Sequence, residues 1–283
     1  MTNQENQLNS PPYKLVVFDV DGTLQDSSHR LPVFTRKILM ALKDRGIQIS
    51  FATGKSLPAV QKLATDLEIN IPLILTNGCV LQDRFGKVLY TAHLPMDVVK
   101  HVISICDQTS SELALFIHND IYVKRSTQNL SLLVEYGADP LKEIGEWSVI
   151  DSIMPETQQI LVVDRHPQQH LVELETIMIK ELGENANICQ SIPEMLDIMP
   201  AGISKAAGIQ KLANHLGIEL AEVIAFGDSH NDIEMVKAAG LGVAVANSVP
   251  ELLASADVVV GSNDEEGPAH YLQAIFGLDL ILD

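Results

Sequence analysis

Short apolar runs alternating with helix-spaced stretches dominate the first eighty residues. Leu15-Val16-Val17-Phe18 is apolar without interruption, the pattern of a strand buried on both faces. Val33 to Arg45 then places Phe34, Ile38 and Leu42 at helical spacing and stops at Gly46. Ile47 to Ala52 reads as a second strand ending at Thr53-Gly54, and Leu57 to Leu67 as a second helix. Leu73-Ile74-Leu75 makes a third strand ending at Thr76-Asn77-Gly78. Strands alternating with helices predict a parallel sheet with right-handed crossovers.

The rhythm then changes. Cys79 to Gln82 and Val88 to Thr91 flank Asp83-Arg84-Phe85-Gly86-Lys87, a hairpin signal, and Leu113 to His118 and Ile121 to Lys124 flank a turn at Asn119-Asp120. Helical spacing recurs over Val98 to Thr109 and Gln168 to Leu182, with a strand at Ile160 to Val163. Hairpins and helices interrupting a βα array predict a separate α+β layer, placed at residues 82–192. The array resumes after Met195 to Met199: Ser204 caps a helix running to Leu216, with Gly217 at its end. Strands are expected at Val223 to Phe226, Val243 to Ala246 and Val258 to Val260, with a helix over Asp232 to Ala239. The expected fold class is α/β: a doubly wound, Rossmann-like parallel-sheet core (residues 13–81 and 193–283) with an inserted α+β cap domain (82–192).

Composition narrows the function. At 283 residues with 46% hydrophobic residues, the chain can bury a sizeable core. Its formal net charge of −18 repels phosphate backbones and anionic lipid, which argues against nucleic-acid and membrane partners. A small phosphorylated substrate remains compatible, because a local cation reverses the sign inside a cleft. Cys79, Cys106 and Cys189 are widely spaced and odd in number, the usage of reduced thiols packed as small hydrophobes. Residues 1–12 are polar, end in Pro-Pro and read as a disordered tail with no signal-peptide pattern. No apolar stretch is long enough to span a bilayer, and the expectation is a cytoplasmic monomer or small homo-oligomer.

The chemistry-bearing residues cluster just after the predicted core strands. Asp19-Val20-Asp21-Gly22-Thr23 follows the first, Thr53-Gly54-Lys55 the second, Asn77-Gly78 the third and Gly227-Asp228-Ser229-His230-Asn231-Asp232 a later one. In a parallel sheet these ends lie along one edge, where open α/β sheets bind ligands. Asp-Gly turn chemistry explains Gly22 by itself, and acids at a helix start explain Asp228 and Asp232, but neither explains all the clusters at one edge. Two carboxylates ~4 Å apart repel by roughly 4 kcal/mol at an effective dielectric of about 20, so a cation or a shared proton is required. Three or four carboxylates require a divalent ion, and an all-oxygen set suits Mg²⁺. Lys205, at a helix start where the dipole disfavours a cation, fits either a solvated lysine or a point charge at a phosphate site. His230 reads as a surface residue.

Together these stretches resemble the haloacid dehalogenase-like superfamily of phosphohydrolases, in its Cof-type branch. Asp19 to Thr23 is similar to the first motif, Thr53 to the second, Lys205 to the third and Gly227 to Asp232 to the fourth. Asn263-Asp264-Glu265-Glu266-Gly267-Pro268-Ala269 is similar to a Cof-type signature. The resemblance implies a phosphatase acting on a sugar phosphate, nucleotide or cofactor phosphate. Asp19 would be the nucleophile and Asp21 the general acid and base. Thr53, Gly54, Asn77, Lys205 and Asn231 would bind substrate. The metal candidates are Asp19, Asp21, Asp228 and Asp232, with Asp21 contributing its backbone carbonyl and Asp232 supporting. A phosphotransferase or mutase using the same nucleophile is the alternative. The sequence departs from the branch in having Lys55 in place of Arg, Ala206 after the motif lysine and Pro268 in place of Val; Lys55 keeps the charge but loses the bidentate fork.

Overall fold

The computed structural model describes residues 12–137, 140–165 and 170–279. Except for Pro12, the expected tail lies outside the described residues, as do the first two positions of the helix expected from Gln168. In chain order the strands are β1 (Leu15–Phe18), β2 (Gln48–Phe51), β3 (Leu73–Leu75), β4 (Val80–Gln82), β5 (Val88–Thr91), β6 (Glu112–Ile117) and β7 (Asp120–Val123). They continue as β8 (Lys142–Glu143), β9 (Thr157–Val163), β10 (Ala186–Ile192), β11 (Met195–Pro200), β12 (Val223–Gly227), β13 (Leu241–Val245) and β14 (Val258–Val260). The helices are α1 (Val33–Asp44), α2 (Leu57–Asp66), α3 (Met96–Thr109), α4 (Ser131–Glu135) and α5 (His170–Leu182). After them come α6 (Lys205–Leu216), α7 (Ile233–Ala238), α8 (Pro250–Leu253) and α9 (Gly267–Ile275). Contacts divide the chain into two compact units: Met1–Phe51, Leu67–Ile71 and Ile209–Asp283 form one, Ala52–Asp66 and Pro72–Gly208 the other.

In the first unit, among the described residues, β14-β13-β12-β1-β2 form a five-stranded parallel sheet, as the βα rhythm predicts. Every residue of β1 and β12 is buried, which is why these strands carry no polar alternation. Their register pairs Phe18 with Phe226, whose rings stack with centroids 4.9 Å apart. The ladder runs one residue further, Asp19 N donating to Phe226 O at 2.9 Å, so the residues after both strands emerge side by side. Helix α1 buries Phe34, Ile38, Leu39 and Leu42, one stripe at 3.6-residue spacing, each side chain contributing about 1.5–3 kcal/mol.

In the second unit, β10-β11-β9-β6-β7-β8 form a six-stranded sheet that is antiparallel except at β7–β8. Strand β6 alternates between its two faces. Leu113, Leu115 and Ile117 join Val99 and Val102 of α3 and Leu174 and Met178 of α5, while Ala114 and Phe116 join Leu132 and Leu133 of α4. The expected boundary at residue 192 falls between β10 and β11, two paired strands of this sheet.

Two local expectations are corrected. Leu73–Leu75 pairs antiparallel with β4 in a three-stranded sheet, β3-β4-β5, and its described parallel partner is a single bridge from Ile74 to Ala52. A buried apolar triplet carries no signal for strand direction, so the preceding rhythm alone suggested a parallel strand. The β6–β7 turn is His118-Asn119, one residue earlier than expected: Ile117 pairs with Asp120, and His118 takes the left-handed conformation (φ 57°). The cysteines are free thiols, Cys79 and Cys106 buried; burial, reinforced by Asp107, pushes the Cys106 thiol up to about 12. Among the described residues, no helix is long and apolar enough to cross a membrane.

Candidate active site

In the first unit, Asp19, Asp228 and Asp232 converge at the carboxyl ends of β1 and β12. Each offers one carboxylate oxygen, and these atoms all lie within 4.8 Å of one another. Asp19 is 7% exposed and Asp232 fully buried. Like charges at that separation repel by roughly 3 kcal/mol per pair at an effective dielectric of about 20, so the cluster is built for a positive partner. Its donors are all oxygen, which fits a hard divalent cation such as Mg²⁺.

Local structure fixes each member. Thr23 Oγ1 donates to Asp228 Oδ1 at 2.7 Å. Asp232 Oδ2 accepts from the backbone N–H groups of Asp228 (3.0 Å) and Ser229 (3.1 Å), so it caps the turn that carries Asp228. The turn after Asp19 closes through Gln25 N donating to Val20 O at 2.9 Å. Gly22 sits at φ +75° with its Cα facing Asp228; a Cβ there would come within 2.6 Å of Asp228 Oδ2. Glycine is required at this position for both conformation and space.

Asp21 does not join the three clustered carboxylates with its side chain. Its Oδ1 lies 3.1 Å from His29 Nδ1, on the more open side of the turn. Asn231 is half-buried in the His230–Asp232 turn. His230 is exposed, as expected, with Nε2 3.6 Å from Glu251.

The other expected binding residues belong to the second unit. Thr53 is buried; its N–H donates to Ile74 O (2.9 Å), its carbonyl accepts from Asn77 N (2.9 Å), and its hydroxyl accepts from Lys55 N (3.2 Å). Gly54 lies against the Asn77 carboxamide, where a Cβ would be 3.3 Å from Asn77 Nδ2. Asn77 is buried in a left-handed conformation (φ 53°). Lys205 is 2% exposed at the start of α6, whose preceding Ser204 caps the helix through Oγ to Ala207 N at 3.3 Å. The structure thus brings Thr53, Gly54 and Asn77 together.

One residue in this neighbourhood was missed in the sequence. Asp197 of β11 is buried, and its Oδ1 accepts from Asn77 Nδ2 (2.8 Å) and Gln159 Nε2 (2.7 Å). Burial raises its pKa to about 6, opposed by hydrogen bonds from Ser191, the charge of Lys205 and the bond from Asn77. One carboxylate therefore links Asn77 electrostatically to Lys205. The available signal was an acid inside the apolar run Met195 to Met199, a position where an unpaired charge is costly.

A family model described as haloacid dehalogenase-like hydrolase matches residues 16–272. The chain is 30% identical over 262 residues to the HMP-PP phosphatase of Yersinia pestis (strain Pestoides F), covering 92% of this chain and 94% of that protein. A haloacid dehalogenase-like hydrolase from Bacteroides thetaiotaomicron is similar in structure with a TM-score of 0.83 at 27% identity, over 93% of this chain and 100% of that one. A subclass IIB sugar phosphatase of the same superfamily matches with a TM-score of 0.81 at 25% identity, over 93% and 99% of the two chains.

Proposed function

Because the chain belongs to the haloacid dehalogenase-like hydrolases, in the Cof-type branch that its motifs resemble, we propose that it is a phosphoric monoester hydrolase acting on a small phosphorylated metabolite. Relatives named as an HMP-PP phosphatase and a sugar phosphatase support that substrate class. The observation that carries the reading is the cluster of Asp19, Asp228 and Asp232, with donor oxygens within 4.8 Å of one another.

In this reading the Asp19 carboxylate attacks phosphorus in line with the leaving oxygen, and the P–O bond to the leaving group breaks as the aspartyl-phosphate forms. Asp21 gives its proton to the leaving oxygen, then takes one from the water that attacks the phosphorus of the intermediate and frees Asp19 with inorganic phosphate. A side chain on the open side of the turn, outside the carboxylate cluster, suits a group that must exchange protons. By the motif resemblance, Thr53, Lys205 and Asn231 would hold the phosphoryl oxygens, and Gly54 and Asn77 would bind substrate; a buried cation such as Lys205 acts strongly where water is excluded. Asp19 and Asp228, with the Asp21 carbonyl and Asp232 in support, would hold Mg²⁺, which supplies positive charge against the phosphoryl group. Residues 82–192 would serve as the cap that selects the substrate.

The test is phosphate release from p-nitrophenyl phosphate and a panel of phosphorylated metabolites, with Mg²⁺ and with EDTA. Metal-dependent release of inorganic phosphate, lost in Asp19→Asn, is expected. Transfer of the phosphoryl group to a second sugar without inorganic phosphate would replace hydrolysis by phosphotransfer.

A further inference from the structure

The C-terminal signature takes no part in the chemistry above, yet it fastens the turn that carries Asp21. Asn263 is buried; its Nδ2 donates to Gln25 O at 2.9 Å, and its backbone N–H donates to Asn247 Oδ1 at 3.1 Å. Asn247 Nδ2 in turn donates to Gly22 O at 2.8 Å, on the residue that follows Asp21. Two carbonyls of the turn, those of Gly22 and Gln25, are therefore held by two asparagines that also bond to each other. A carboxamide can do this because it carries a donor and an acceptor on one rigid plane.

The fastening continues along the chain. Asp264 Oδ1 accepts from Ser27 N at 2.8 Å, and Glu266 Oε2 accepts from Thr35 N at 2.8 Å and Thr35 Oγ1 at 2.9 Å. The segment following Asp21 is thus tied, from Gly22 to the first turn of α1, by acceptors and donors from residues 247–266. The turn closes through the Gln25-to-Val20 bond and includes a left-handed glycine, so its path depends on what holds its carbonyls from outside.

We propose that Asn247 and Asn263 are positioning residues that lock the 20–25 turn and thereby aim the Asp21 carboxyl group at the leaving oxygen; this rests on the reading of Asp21 as general acid. The consequence depends on the leaving group. An alkoxide requires protonation as the P–O bond breaks, whereas p-nitrophenolate leaves without it. Loosening the turn should therefore slow alkyl phosphates, including sugar phosphates, more than p-nitrophenyl phosphate.

The experiment measures kcat and KM of wild type, Asn247→Ala, Asn263→Ala and Asp21→Asn on p-nitrophenyl phosphate and on one alkyl phosphate that the wild type hydrolyses. Thermal melting and Mg²⁺ affinity are followed alongside. The expected result is a loss of kcat/KM about tenfold or more larger on the alkyl phosphate than on p-nitrophenyl phosphate, with the same selectivity in Asp21→Asn; kcat/KM reports the step that expels the leaving group, whereas hydrolysis of the intermediate is common to both substrates. Asn247 is exposed, so Asn247→Ala keeps the test open if the buried Asn263 variant fails to fold. An equal loss of kcat/KM on both substrates, or none, in a folded variant that binds Mg²⁺ normally overturns the proposal. A folded wild type that hydrolyses neither substrate overturns the phosphatase reading, and this inference with it.

Discussion

Thr23 Oγ1 donates to Asp228 Oδ1 at 2.7 Å across 205 residues of sequence. The bond exists because β1 and β12 are neighbours in register, so the turns leaving them meet. It fixes one oxygen of Asp228, a member of the carboxylate cluster. Thr23→Val keeps the shape and removes the donor. Divalent-ion affinity, read by calorimetry with Mg²⁺, should weaken about tenfold or more, and Thr23→Ser should restore it. Equal affinity in the valine variant would mean that Thr23 only fills space.

Gly22→Ala tests how closely the same two turns approach. The new Cβ would meet Asp228 Oδ2 at 2.6 Å in a backbone conformation that L-residues disfavour. Destabilisation of about 1–3 kcal/mol is expected in urea unfolding, together with weakened Mg²⁺ binding. An unchanged midpoint would show that the turn relaxes freely.

Asp197 gives a pH signature. Its carboxyl group titrates at about 6 in the folded chain against 3.8 ordinarily, so between those values the folded state holds more protons than the unfolded one. Its contribution to stability is therefore greatest below the ordinary value, falls as pH rises to about 6 and is level above that. The buried groups facing it are Lys205, which favours the carboxylate, and the Cys79 thiol, which burial and Asp197 both push up. Asp197→Asn keeps an oxygen for Asn77 and Gln159 but does not titrate. From pH 4 to pH 7 the wild type should lose up to about 3 kcal/mol of stability relative to this variant. A pH-independent difference between the two would contradict the assignment.

The parts of this protein that were legible in the sequence follow simple periodicities. The uninterrupted apolar runs of β1 and β12 and the apolar stripe of α1 announce their elements, and the acids after the two strands announce the cluster at their ends. What stayed hidden depends on tertiary pairing. Nothing in Leu73–Leu75 encodes its antiparallel partner, and nothing in Asp21 shows that its side chain turns towards His29 while Asp19 turns towards Asp228. Thr23 and Asn263 stand in motifs the sequence displays and Asn247 in none, but the partners of all three are set by long-range contacts. Asp197 could have been noticed as an acid in an apolar strand, but its link to Asn77 and Lys205 is set by the fold.

The most direct test of the central reading, that Asp19 carries the phosphoryl group, is mass spectrometry of Asp21→Asn after rapid mixing with p-nitrophenyl phosphate and Mg²⁺ and an acid quench. This variant can still form the intermediate on a substrate whose leaving group needs no proton, but it lacks the base that activates water. The expected result is one added phosphoryl group on the peptide containing Asp19, removed by hydroxylamine and absent with EDTA. An unmodified Asp19 peptide at every time point, while the wild type releases phosphate from the same substrate, would contradict nucleophilic catalysis by Asp19.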